Sequence, residues 1–371
     1  MRSLRFLNGP LGTLIFSASI ALLTSCGQRS ESDLPTEGGA ETGKVKSSSG
    51  GDVPDRDIFI PNTISEAAQK VLAMGKEAKA YKKIYPASDD TAGWRRVRAD
   101  MEANALENNR KVAEANEVTV TDTLIGGVKV LDLRPKGWIE NGKRIVFCHG
   151  GAYTLNSART GIVHAAPLAK TSGMRILSVD YTTAPNANWK QIQQEVVEVF
   201  KALLAQGFKL KNMGIYGASA GGGLATSTVL NLRDQGLGMP AAVVLWSPWV
   251  DLTKDGDTQT TLEDQEPMLL YDGLLDRSAK AFAAGLDLKD PKVSPMHADF
   301  NKGFPPTLIQ EGTKTIFLST SIRLYQRLDE AGQKPVIDMY EGMVHVFQQL
   351  PIPEAEYAVK KTAKFFKEHL K

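Results

Sequence analysis

Several features that would point directly to a function are scarce in this chain. Cysteine is nearly absent: Cys26 and Cys148 are the only two in 371 residues, too few and too far apart for a disulfide framework or a zinc site. Charge of one sign is lacking too. Lys and Arg number 44 against 42 Asp and Glu, a formal net charge of +2, so no whole-chain basic field exists to hold a polyanion and no nucleic-acid partner is expected. The single long apolar run lies near the N-terminus, which does not fit a multi-span membrane protein. There is no internal repeat and no sustained heptad pattern, so solenoids and coiled coils are set aside. The remaining composition, 42% hydrophobic and 23% charged, is that of a soluble globular chain able to bury a sizeable core. Its length fits one large α/β domain carrying a tail and a cap.

Arg2 and Arg5 precede an uncharged, mostly apolar stretch from Leu11 to Leu23, the layout of a secretory signal. Where a cleavage site would fall, the chain reads Leu23-Thr24-Ser25-Cys26-Gly27, which resembles the lipobox of bacterial lipoproteins. The resemblance implies removal of residues 1–25 and acylation of Cys26 as the first residue of the mature chain. The expected location is outside the cytoplasm, anchored to a bacterial cell membrane, and Gly27 in place of an aspartate points to the outer membrane or cell surface. Multiple acyl chains hold firmly, at about 0.8 kcal/mol per buried CH₂. Residues 26–56 are rich in Gly, Ser and charged residues, with Leu34, Ala40, Val45 and Val53 among the few apolar ones. Such a segment cannot offset the entropy of ordering and reads as a tether with a reach of roughly 30 Å.

Residues 57–115 are rich in Ala, Glu, Lys, Arg and Asn and break at Pro86, predicting two polar helices and no strand. From 116 onward short apolar runs recur at 128–133, 144–148, 175–179, 213–216, 242–246, 307–310 and 336–340. They are separated by segments with helical spacing, such as Ile192, Val196, Phe200, Leu203 and Leu204 on one face. This alternation predicts a mostly parallel sheet covered on both sides, with chemistry at the carboxyl ends of the strands.

Three strand ends carry that chemistry. Tyr216-Gly217-Ala218-Ser219-Ala220-Gly221-Gly222-Gly223 lies between a predicted strand and a predicted helix, the context of a nucleophile elbow; small residues at 217 and 221 let strand and helix approach, and Ser219 stands at a helix N-terminus whose dipole favours developing negative charge. The same pattern also describes an ordinary Gly-rich strand-to-helix turn. His149-Gly150-Gly151-Ala152-Tyr153 follows the 144–148 strand, and its backbone amides can face the crevice that Ser219 faces, as an oxyanion hole requires. His149 precedes that loop and reads as a structural hydrogen-bonding residue, while Cys148, inside an apolar strand, reads as a small core residue. After the last strand comes Glu341-Gly342-Met343-Val344-His345, which makes His345 the candidate general base; His164, His297 and His369 read as lying outside the site.

On these residues the chain, from about Val128 to its end, resembles the hormone-sensitive-lipase-like branch of the α/β-hydrolases, the bacterial family IV esterases. The supporting segments are His149-Gly150-Gly151-Ala152-Tyr153, Val179-Asp180-Tyr181 with Ala184-Pro185, Gly217 to Gly222, Val293-Ser294-Pro295 and Glu341 to His345. The resemblance implies an α/β-hydrolase fold with a mostly parallel central sheet and a helical cap, formed by 57–115 with a contribution from about 256–285. It implies Ser219 as nucleophile, His345 as base, and the amides of Gly151, Ala152 and Ala220 as oxyanion hole. The implied activity is hydrolysis of short-chain carboxylic esters through an acyl-enzyme, with a small-molecule ester as partner, no cofactor and no metal.

One position departs from the pattern. Where relatives carry the triad acid, this chain reads Gly312-Thr313-Lys314-Thr315-Ile316-Phe317-Leu318, with Thr315 in the acid's place. A threonine cannot stabilise an imidazolium by charge, and related losses cost about 10⁴-fold in turnover. Glu311 is the closest carboxylate in sequence, about 13 Å away if the chain is extended; Asp338 is a weaker substitute and Thr320 no remedy. Three readings stand: Glu311 serves as acid, a dyad works slowly, or the protein is a damaged or repurposed hydrolase. The competing function is a catalytically weakened or inactive hydrolase that binds small molecules. A peptidase on this fold is discounted because the chain has no room for a propeller-sized domain.

Overall fold

The computed structural model describes residues 58–77 and 84–371. The signal peptide, Cys26 and the tether lie outside them. Two helices come first, α1 (Glu66–Glu77) and α2 (Thr91–Ala115), separated as the Pro86 break requires. Asp90 starts α2 by accepting the Gly93 amide at 2.8 Å, and the Trp94 indole donates to the Ala87 carbonyl at 2.8 Å.

The rest of the chain builds an eight-stranded sheet from β1 (Val118–Ile125), β2 (Val128–Pro135), β3 (Arg144–Cys148), β4 (Ile176–Val179), β5 (Met213–Ala218), β6 (Ala242–Trp246), β7 (Thr307–Gly312) and β8 (Pro335–Tyr340), in spatial order β1-β2-β4-β3-β5-β6-β7-β8. β2 runs antiparallel to both its neighbours, and every pairing from β4 to β8 is parallel. β1 is the one strand the sequence reading missed. Its Val-Thr-Val-Thr-Asp-Thr-Leu-Ile run is buried only at its two ends, so it lacks the apolar density by which the others were found; β-branched residues at a sheet edge were the available signal.

The connections supply helices on both faces: α3 (Ile162–Ser172), α4 (Trp189–Ala205), α5 (Ala220–Asp234), α6 (Asp276–Ala283), α7 (Leu318–Glu330) and α8 (Pro353–His369). One face packs β-strand side chains against α4, α5, α6 and α7, including Ile192, Val196, Phe200, Leu224 and Leu324. The other packs them against α2, α3 and α8, with Val112, Leu168, Tyr216, Trp246 and Phe366. Central strands are therefore apolar on both sides, as β3 and β5 are, every residue buried. A third, smaller cluster joins Ile64, Ala68 and Leu72 of the N-terminal segment to Met343, Val344 and Phe347, the loop that carries His345.

Helix α4 illustrates how sequence makes these layers. Asn188 caps it by accepting the amides of Lys190 and Gln191, and its Ile192-Val196-Phe200-Leu203 stripe is buried against the sheet. Phe200→Ala should therefore destabilise the fold by about 3–5 kcal/mol, measured by urea unfolding; a loss under about 1 kcal/mol would contradict this packing.

Candidate active site

Each candidate group sits at the carboxyl end of a strand. Ser219 follows β5 at φ 57°, ψ −124°, a conformation that strains any residue with a side chain. The surroundings hold it there. The Ser219 amide donates to the Trp246 carbonyl at 2.9 Å, and its carbonyl accepts from Gly222 at 2.8 Å and Trp249 at 2.9 Å. A Cβ on Gly217 would fall onto the Gly221 carbonyl oxygen, and one on Gly221 onto the carbonyls of Cys148 and His149. Glycine at both positions is thus what lets β5, α5 and the end of β3 meet.

The loop after β3 is equally constrained. Gly151 takes φ 111°, and Ala152 and Tyr153 also lie at positive φ. The Gly151 carbonyl accepts from Thr154 at 3.0 Å and Leu155 at 2.8 Å, and a Cβ on Gly150 would come 3.2 Å from that of Ser219, so this backbone lies directly against the serine. Among the described residues, the amides of Gly151, Ala152 and Ala220 have no protein acceptor, which leaves three donors beside one hydroxyl. His149 packs as a structural residue: its ring stacks on Tyr181 at 4.0 Å, and the Tyr181 hydroxyl donates to its carbonyl at 2.8 Å.

The same loop is braced by flanking helices. Half-buried Arg98 of α2 donates to the carbonyls of Thr154 (3.0 Å) and Ala184 (3.4 Å). From α6, Ser278 hydrogen-bonds Thr154 at 2.7 Å and Phe282 stacks on Tyr153 at 3.8 Å. Behind the loop lies a polar cavity of 410 Å³ lined by Arg98, Lys129, Asn156, Asp180 and Glu195 among others. Its lining includes neither Ser219 nor His345.

His345 lies after β8, buried, its ring edge-on to Phe317 at 5.2 Å. The next amide, of Val346, donates to the Ser247 hydroxyl at 3.1 Å. Because Trp246 holds the Ser219 amide and Ser247 holds Val346, one dipeptide at the end of β6 ties the serine's backbone to the histidine's loop. Burial drives the His345 imidazole down to about 3, with the nearby His164 ring a smaller cause. His164, set aside from sequence, therefore lies within electrostatic range of the candidate base, both its nitrogens buried without a partner.

Glu311 as a directly bonded acid is not what the geometry shows. The His345 Nδ1 is buried with no hydrogen-bond partner. The Glu311 side chain, fully buried, leaves β7 toward α7, where Ser321 donates to it at 2.7 Å and the Gly312 amide at 3.0 Å; the nearby hydroxyls of Ser247 and Thr315 also favour its charged form. Burial outweighs these donors and lifts its carboxyl to about 7. Thr315, in the acid's place, accepts the Phe317 amide at 2.9 Å. Asp338 is committed elsewhere, to Tyr340, Gln310 and Lys361. The role of Ser247 as a joint was not found from sequence; its place right after a buried strand, before Pro248, was the only signal.

The comparisons agree with this architecture. Residues 145–349 match a family described as alpha/beta hydrolase fold. An esterase of Acinetobacter venetianus is 33% identical over 223 residues, 60% of this chain and 73% of that one. An acetyl-hydrolase of Streptomyces hygroscopicus is 31% identical over 230 residues, 62% and 76%. Among solved structures, esterase E25 superposes with a TM-score of 0.77 at 27% identity, over 87% of this chain and 99% of its own. A hormone-sensitive lipase from a metagenome library gives 0.74 at 30% identity, over 84% and 100%. The chain belongs to the α/β-hydrolase family, on its hormone-sensitive-lipase-like branch. Within that branch it is a carboxylic ester hydrolase.

The two shifted groups set a pH dependence of stability. A carboxyl raised from 4.5 to about 7 adds stability that is complete below the unfolded value and lost as pH rises through 7. A lowered imidazole does the opposite, adding stability above about 6.5 that is lost as pH falls toward 3. Wild type should therefore lose up to about 3 kcal/mol relative to Glu311→Gln between pH 4.5 and 8. Urea melts across that range measure it, and parallel curves for the two proteins would contradict the buried, raised carboxyl.

Proposed function

We propose that Ser219 is the nucleophile and His345 the general base of an acyl-transfer cycle on short-chain carboxylic esters. The observation that carries this reading is the strained Ser219 backbone with three unengaged amides beside it. His345 takes the Ser219 hydroxyl proton as Oγ bonds to the ester carbonyl carbon. The amides of Gly151, Ala152 and Ala220 receive the oxyanion, where each such donor is worth about 2.7–4 kcal/mol. The imidazolium then returns the proton to the departing alkoxide. Water, deprotonated by the same imidazole, releases the carboxylic acid and regenerates the serine.

A short acyl group suits the walls of the site. The Trp249 backbone is bonded to that of Ser219, and the Trp249 and Phe317 rings stack at 6.0 Å, both fully buried. The name acetyl-hydrolase on relatives from Streptomyces hygroscopicus and Mycobacterium tuberculosis favours the same choice. The helices of 58–115 and the segment 256–285 act as cap, and the enzyme works exported and lipid-anchored through acylated Cys26, most simply on the outer membrane or cell surface. The sequence around Cys26 is the support for that location.

Ser219→Ala should lower turnover of p-nitrophenyl acetate at least about 10³-fold with an unchanged circular dichroism spectrum; unchanged turnover would remove the mechanism. Esters of graded length should show kcat/KM falling from acetyl to octanoyl, and a maximum at long chains would contradict the acyl choice. Cys26→Ser should move the protein from membrane to soluble fractions of the producing cell, and an unaltered distribution would remove the anchor.

A further inference from the structure

We propose that Glu311 is the electrostatic partner of His345, a positioning residue that acts through the Ser247 hydroxyl and so replaces the carboxylate missing at position 315. The inference rests on the Ser219 and His345 roles above. Its geometry is that of a caged charge, fully buried and bonded by Ser321 and the Gly312 amide. The Ser247 oxygen accepts the Val346 amide at 3.1 Å, and its own amide sits on the carbonyl of Gln310, next to Glu311, so its single proton is free to turn toward Glu311, whose charged form the Ser247 hydroxyl favours. A negative Glu311 therefore polarises the hydroxyl that holds the residue after the base. Ser247 is itself fixed: its amide donates to the Gln310 carbonyl at 2.9 Å, its φ is 44°, and Trp246 before it holds the Ser219 amide.

A second route runs through Thr315. Its oxygen accepts the Phe317 amide, so its proton too is available to Glu311, and the Phe317 ring borders His345. The residue standing where the acid belongs has thus become a donor to the carboxylate that replaces it. The groups meeting Glu311 are Ser321 from α7, Ser247 from the loop after β6, and Gly312 and Thr315 from its own loop, with no charged side chain among the causes of its shift. Those facing His345 are Phe317 and His164. No cation beside Glu311 competes for its charge, and a fully buried carboxylate is costly to ionise unless it serves something nearby. The imidazolium formed on His345 during acylation is what its charge would stabilise, across the Ser247 hydroxyl and in a medium of low dielectric.

The test is steady-state hydrolysis of p-nitrophenyl acetate from pH 5.5 to 9 by wild type, Glu311→Gln, Ser247→Ala and the double variant Glu311→Gln with Thr315→Glu. Glutamine keeps the size and the acceptor oxygen, so a structural role alone would leave rates intact. The proposal expects Glu311→Gln to lower kcat at least about thirtyfold with KM within about threefold and to lose the rise of kcat through pH 7. It expects Ser247→Ala to fall similarly, and the double variant to recover at least about tenfold of the loss because a loop carboxylate reaches Nδ1 directly. Glu311→Gln within about threefold of wild type at every pH would overturn it, as would a double variant no faster than the single one. Should Glu311→Gln not fold, a folded Ser247→Ala with wild-type kcat would overturn it equally. Wild-type activity lost in Ser219→Ala but kept in Glu311→Gln refutes this inference alone. Activity that survives Ser219→Ala refutes the mechanism beneath it.

Discussion

The site depends on a backbone constraint at one residue. Ser219 is held at positive φ because strand β5, helix α5 and the end of β3 converge at distances that only Gly217 and Gly221 permit. Strain of this kind costs of order 1–3 kcal/mol and persists only where the surroundings over-determine it. Here they do so through bonds from Ser219 to Trp246, Gly222 and Trp249. The same convergence brings the Gly150-Gly151-Ala152 backbone against the serine, so the Ser219 hydroxyl and the unengaged amides share a single packing solution. Both faces of the sheet are closed by apolar helices, which gives that solution a rigid support.

Electrostatics at the site follows from burial more than from charge pairing. His345 and Glu311 are both withdrawn from water, and each is pushed toward its neutral form, the imidazole downward and the carboxyl upward. An ordinary triad would resolve this opposition by direct contact between the two. In this chain the Ser247 hydroxyl holds the histidine's loop beside the carboxylate, and of the two groups only the carboxyl, raised to about 7, changes state near neutrality.

Much of the fold was legible because strands that bury side chains against helices are written as short apolar runs, and seven of the eight strands stood out that way. β1 did not, because an exposed edge strand needs no apolar face. The serine, the glycine loop and the histidine were legible because each sits at a strand end in a local pattern whose physical purpose can be stated. The surroundings of Glu311 were not. The lack of an acid at Thr315 could be read, but the direction of the Glu311 side chain depends on which face of β7 it leaves, and on Ser247 and Ser321, 64 and 10 residues away. His164 lies in α3 as a helix residue outside the triad, but nothing local to α3 signals that its ring influences a histidine almost two hundred residues later.

Covalent capture of the nucleophile reaches the central claim most directly. The folded wild-type protein, treated with a fluorophosphonate and digested for mass spectrometry, should carry one phosphonyl group per chain on Ser219, with esterase activity lost in proportion. An active enzyme that stays unlabelled at Ser219, or that is inactivated by modification of a different residue, would contradict the account.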